Sequence, residues 1–216
     1  MHRRRPLSSL AAALWLAGLA ALQPAAAQGQ ADKGEWTLYG GQMIANDLPP
    51  LAFDLVTGKV RTKHAYLLGV GYSLPLPPPP HWLDSTLAAI GMHGATAALD
   101  LIAVQHGGAE HNPEVNLAYT VRSRYADFGP MRLRVGAGMG PSLALGRPAA
   151  EDGPTETSPR RPRFQNYVGL EVEARLADMP DTGLLLRVHH RSGAYGLIAP
   201  NNVGGNFIVL GLRHSF

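Results

Sequence analysis

Two residues in the stretch LLLRVHHRSG, residues 184–193, have the side chains needed to break an ester: His190 and Ser192. Spaced two apart in an extended chain they share a face, close enough for an imidazole to approach a hydroxyl. A histidine that takes the serine proton is the minimum apparatus for nucleophilic attack on an acyl carbonyl. The bland alternative is a pair of polar residues in the band where a membrane strand meets headgroups. Choosing between them requires knowing where this strand lies and what its outer face meets.

Other chemistry-bearing residues lead elsewhere. His189 has the opposite parity, beside Arg187, and is expected to hydrogen-bond inside the fold. His64, His93, His106 and His111 fall in loops or at strand ends without metal-ligand spacing, and there is no cysteine, so neither a metal site nor a thiolate nucleophile is expected. Asp100, Glu114 and Glu171 share parity with interior positions among arginines, which suits a charge network better than a paired-carboxylate site. Gly136, Gly138 and Gly140 lie within a strand with no helix following, so they form no phosphate loop.

The elements that position these residues begin with an export signal. Arg3, Arg4 and Arg5 precede an apolar run from Leu10 to Leu22 that closes on Ala25, Ala26 and Ala27, a secretory leader spanning 1–27 with cleavage after Ala27. The full chain carries 19 basic and 16 acidic residues. Removing the leader takes three arginines and no acid, so the mature chain has no net charge and no electrostatic case for a nucleic-acid partner.

Residues 28–216 are expected to form one all-β domain, because period-two alternation recurs and a sustained helical period does not. Eight strands are read near 35–44, 65–74, 93–105, 114–124, 131–143, 165–177, 183–193 and 206–216. Most have about the ten residues a tilted strand needs to cross a bilayer. Short turns alternate with longer polar loops, and the chain ends on Phe216 after an amphipathic strand. An even count allows closure with no edge left unpaired in lipid. An eight-stranded antiparallel outer-membrane β-barrel follows, its narrow bore packed with Glu171, Glu173, Arg132, Arg134 and Arg187, and its aromatic girdles supplied by Trp36, Tyr66, Tyr119 and Tyr195.

With both termini periplasmic, the segments 74–84, 127–130 and 178–181 are periplasmic turns, and 45–64, 106–113, 146–164 and 194–205 lie outside. The seventh strand then runs outward. His190 and Ser192, in parity with Leu184, Leu186 and Val188, face lipid at its outer end. The abundant ester-bearing lipid of that leaflet is lipid A.

The H-x-S of His190-Arg191-Ser192, followed by Pro200-Asn201-Asn202 and a short amphipathic last strand, resembles the outer-membrane lipid A 3-O-deacylase family, also labelled acyloxyacyl hydrolase. The specific motif covers about 183–216. Upstream the likeness is to the strand pattern, with EWTLYGG similar to the family's first strand. The resemblance implies Ser192 as nucleophile, His190 as general base, and Asn202 or Asn201 as oxyanion holder. It also implies lipid A, or lipopolysaccharide, and water as substrates, with no cofactor.

Two positions depart from the family pattern. Asn206 stands where a glutamate would orient the histidine, and Gly193 stands where an asparagine follows the serine. A hairpin centred near 199 would place Asn206 opposite Ser192 on the outer face. Two further readings stay open: a non-catalytic structural barrel, and a loop-presenting adhesin that uses 146–164. Self-association into a homodimer is also open.

Overall fold

The computed structural model describes residues 34–48, 50–151, 161–201 and 203–216. The leader read over 1–27 and the centre of the 146–164 loop lie outside the described residues.

The alternating segments form strands that pair with their sequence neighbours: β1 (Glu35–Ile44), β2 (Thr62–Leu76), β3 (Thr96–Gly108), β4 (Pro113–Arg122), β5 (Ala126–Phe128), β6 (Met131–Ala144), β7 (Phe164–Leu176), β8 (Thr182–Ser192) and β9 (Gly204–Ser215). β4 and β5 are halves of one barrel strand. Both pair with β6, and the register slips by one residue between Arg122↔Gly136 and Ala126↔Leu133. This bulge is held by Ser123, whose N–H donates to Val135 O at 2.8 Å and whose Oγ accepts from Val135 N–H at 3.1 Å. β1 closes the ring on β9, from Glu35↔Ser215 to Ile44↔Asn206. The result is a closed eight-stranded antiparallel barrel.

The two faces carry opposite chemistry. Leu38, Leu68, Leu101, Leu184, Leu210 and Leu212 stand exposed on the outside, part of a continuous apolar belt. A water-soluble monomer does not expose such a surface, whereas closed strands in hydrocarbon require it. These are the features of a bacterial outer-membrane barrel.

Inside, the periplasmic half is ionic. Arg213 bridges Glu171 and Glu173 at 2.9 and 2.7 Å, Arg134 and Arg175 share Glu35 and Glu173, and Arg122 joins Glu171 to Asp100. Arg132, expected in this network, instead pairs at the rim with Asp127 at 3.2 Å, because Asp127 stands directly opposite it on β5. Above the ions a layer of Tyr39, Met43, Tyr167 and Phe207 fills the bore. A second polar layer closes the outer end, where Glu114 contacts His106 at 2.9 Å and His189 at 2.8 Å. Among the described residues no group of three His, Cys, Asp or Glu side chains is arranged to hold a metal ion.

Glu151, in the loop after β6, caps this outer layer. It accepts from Arg191 at 2.5 Å and from Gln165 at 2.6 Å. Burial raises its carboxyl from the ordinary value of 4.5 to about 7, outweighing the opposing pull of Arg191. Its folded pKa exceeds its unfolded one, so its contribution is fully present at low pH and is lost as pH rises from about 4.5 through about 7. The thermal midpoint of the barrel in micelles should therefore fall between pH 5 and pH 8. The fall should be smaller in Glu151→Gln.

Among the described residues two helices depart from the all-strand expectation. α1 (Leu51–Val56) lies in the first outer loop, and α2 (His81–Ala89) lies in the segment read as a periplasmic turn. That second segment runs to residue 95, which is why β3 begins at Thr96 rather than near 93. Leu87, Met92 and Ala95 bury one side of it against Val121 and Val135 of the barrel wall. The stretch is too short for a helical period to stand out, and its apolar face exists only once the wall is beside it.

Candidate active site

β8 holds its inward face with Leu185, Arg187, His189 and Arg191, all buried. Period two then leaves His190 and Ser192 on the outer wall at the extracellular end, as the sequence parity required.

The register of the next strand sets what they meet. His190 is paired with Asn206 and Ser192 with Gly204, so the hairpin centres on 198 rather than 199 and Asn206 faces the histidine instead of the serine. Asn206 Oδ1 lies 2.6 Å from His190 Nδ1. The amide cannot be turned the other way, because its Nδ2 donates to the carbonyl of Asn46 at 2.8 Å. With Oδ1 an obligate acceptor, Nδ1 carries the ring hydrogen and Nε2 presents its lone pair.

Asn46 follows β1, and it reaches β9 only because β1 closes the barrel there. Its own side chain organises the first outer loop. Nδ2 donates to Asp54 at 2.7 Å and to Lys59 O at 3.1 Å, while Oδ1 accepts from Arg61 N–H at 2.8 Å. A cavity of about 170 Å³ opens beside the histidine, bounded by Asn46, Asp47, Lys63, His190, Gly205 and Asn206. Sequence reading missed Asn46, Asp47 and Lys63. They carry no motif and lie more than 120 positions from His190, so only ring closure identifies them.

Ser192 begins a tight loop. Its Oγ accepts from Ala194 N–H at 3.4 Å, and it makes no hydrogen bond to His190. Ala194, Tyr195 and Gly196 are consecutive left-handed residues with φ of 50°, 56° and 90°, an arrangement that non-glycine residues resist. The Gly193 carbonyl gathers the N–H groups of Gly196, Ile198 and Ala199. A Cβ at Gly193 would lie 2.3 Å from the carbonyl oxygens of Ala199 and Pro200, so this loop has no room for asparagine there. Gly204, opposite the serine, has φ 114° and likewise admits no side chain, since a Cβ would meet Arg191 O at 1.8 Å.

Asn201 is exposed, its side chain against Gly196. Asn202 lies outside the described residues. The structure thus brings His190, Asn206 and Asn46 into one hydrogen-bonded chain, with Ser192 on the same face one step outward.

No protein-family model matches the sequence, and no curated protein is similar to it. Solved structures resemble the fold. The outer membrane enzyme PagL superposes with a TM-score of 0.55 at 14% identity, over 84% of this chain and 99% of its own. Neisserial surface protein A gives 0.46 at 12% identity, over 88% and 100% of the two chains. The N-terminal β-barrel domain of Pseudomonas aeruginosa OprF gives 0.44 at 13% identity, over 88% and 100%. At these identities the likeness concerns the barrel architecture.

Proposed function

We propose that this protein is an outer-membrane ester hydrolase that removes the 3-linked hydroxyacyl chain from lipid A. The observation that carries the reading is the lipid-facing His190, held through Nδ1 by Asn206 and placed one same-face step from Ser192. The H-x-S resemblance supplies the substrate.

In this reading Ser192 Oγ attacks the acyl carbonyl while His190 Nε2 takes its proton. The tetrahedral oxyanion is held by Asn202 or Asn201 together with a backbone N–H of the same loop. Collapse breaks the ester bond, and His190 returns the proton to the departing sugar hydroxyl. Water then cleaves the acyl-serine by the reverse route. Substrate entry closes the gap between Nε2 and Oγ, as apo sites of this kind tighten in the complex. An amide in place of a carboxylate orients the imidazole without neutralising the imidazolium, so a slow rate is expected.

Incubating the protein in micelles with lipid A and weighing the products tests this: one 3-linked hydroxyacyl chain should be lost. Lipid A that stays intact beside a folded barrel overturns it. Asn206→Ala removes the acceptor for Nδ1 and should lower kcat by roughly 10²-fold with little change in KM. A KM effect alone would mean that Asn206 shapes the binding surface only.

The separation of His190 from Ser192 favours a second reading, a structural barrel whose polar pair anchors β8 at the interface. Saturable hydrolysis removes it.

A further inference from the structure

The segment that leaves β2 at the periplasmic end does not turn straight back. It crosses the outside of the barrel and stands off the wall, leaving an apolar groove of about 720 Å³ between itself and the strands. That volume is in the range of about 300–1,000 Å³ typical of small-molecule sites. Pro80, Trp82 and Leu83 form its outer side, and Tyr119, Met139 and Val168 form the barrel side. Tyr119 pairs with Met139 and Met139 with Val168, so the barrel side is a single cross-strand row on β4, β6 and β7.

We propose that this groove is a binding site for one acyl chain of a phospholipid of the periplasmic leaflet. The occupant follows from the medium. The groove is continuous with the lipid-facing belt, so the molecules that reach it are hydrocarbon chains.

Selection cannot come from the hydrophobic effect, since a chain leaving bulk lipid gains nothing by transfer. It comes from contact on two sides instead of one, because each pair of apposed carbons adds dispersion energy that a flat wall does not supply. The anchoring of α2 by Leu87, Met92 and Ala95 keeps the outer side in place, so the groove is preformed. Trp82 is 70% exposed, as suits an indole reaching the headgroup level. Arg124, exposed at the periplasmic end of the wall, donates to Gly94 O at 3.3 Å and so places a cation beside the segment that carries α2, available to a lipid phosphate. This site is separate from His190 and Ser192 and does not depend on their role.

The test uses the protein in phosphatidylethanolamine vesicles doped with a phospholipid carrying a diazirine in one acyl chain. After irradiation, labelled peptides are mapped by mass spectrometry. Labelling at Trp82, Leu83 and Met139 should exceed that at Leu186 and Leu210 on the β8–β9 wall by about tenfold. Ala137→Trp, which projects into the groove from β6, should erase that excess, while Leu101→Trp elsewhere on the belt should leave it. Met139→Trp replaces Ala137→Trp if the latter fails to give the compact gel migration of a folded barrel. Even labelling around the barrel overturns the proposal, as does an excess that survives the filling substitution. A labelling excess that disappears as the protein-to-lipid ratio is raised would also overturn it, and would assign the surface to a second copy.

Discussion

Ser192→Ala protein should leave lipid A intact, with the deacylation rate reduced by about 10⁴-fold or more, the order expected when the nucleophile of an acyl transfer is lost. The substitution is a clean one. Ser192 Oγ makes a single long hydrogen bond, from Ala194 N–H at 3.4 Å, and the strand pairing of residue 192 is backbone only. The barrel should therefore fold as before, which compact migration on unheated gels would establish. Mass spectrometry of lipid A after matched incubations reads the result directly. Equal acyl loss from both proteins would place the chemistry elsewhere and leave His190 and Ser192 as interface residues.

The largest effect on stability is expected at the other end of the molecule. Arg213 is fully buried and donates to Glu171, Glu173 and Thr37. Arg213→Met keeps most of the volume but leaves two buried carboxylates short of a cation. Breaking a buried pair from one side costs about 3–5 kcal/mol, because the remaining charge keeps its desolvation penalty. Denaturant unfolding of the folded barrel in micelles should show a lower midpoint with an unchanged slope. Leu212→Ala, one residue away on the outer wall, exchanges one lipid contact for another and should change the midpoint far less. Equal shifts would mean that water screens the bore and that the ionic layer contributes little.

These two expectations come from residues legible to different degrees. The alternation of Leu184, Leu186 and Val188 with Leu185, Arg187 and His189 is local, and period two assigns each to a face whatever the rest of the chain does. Strand number, barrel closure, the outward face of His190 and Ser192, and the inward face of Glu171 and Arg187 all follow from that parity and from the need to pair every edge in lipid. The short excursion over 77–95 was not legible, since its apolar side is defined by Val121 and Val135 across the gap rather than by its own period.

The sequence by itself determined the architecture, the two chemistries of the wall and the outward face that His190 and Ser192 share, because each depends on neighbours two positions apart. Only the tertiary structure decided which residue faces the histidine. That required the register of β8 against β9, which a one-residue displacement of the hairpin centre alters without changing any face. It also decided that Asn46 fixes the amide of Asn206, a contact across 160 positions made when β1 meets β9. Closing a ring brings together residues that no local pattern relates. For that reason the candidate nucleophile and base can be read along the chain, and the group that sets the base's tautomer cannot.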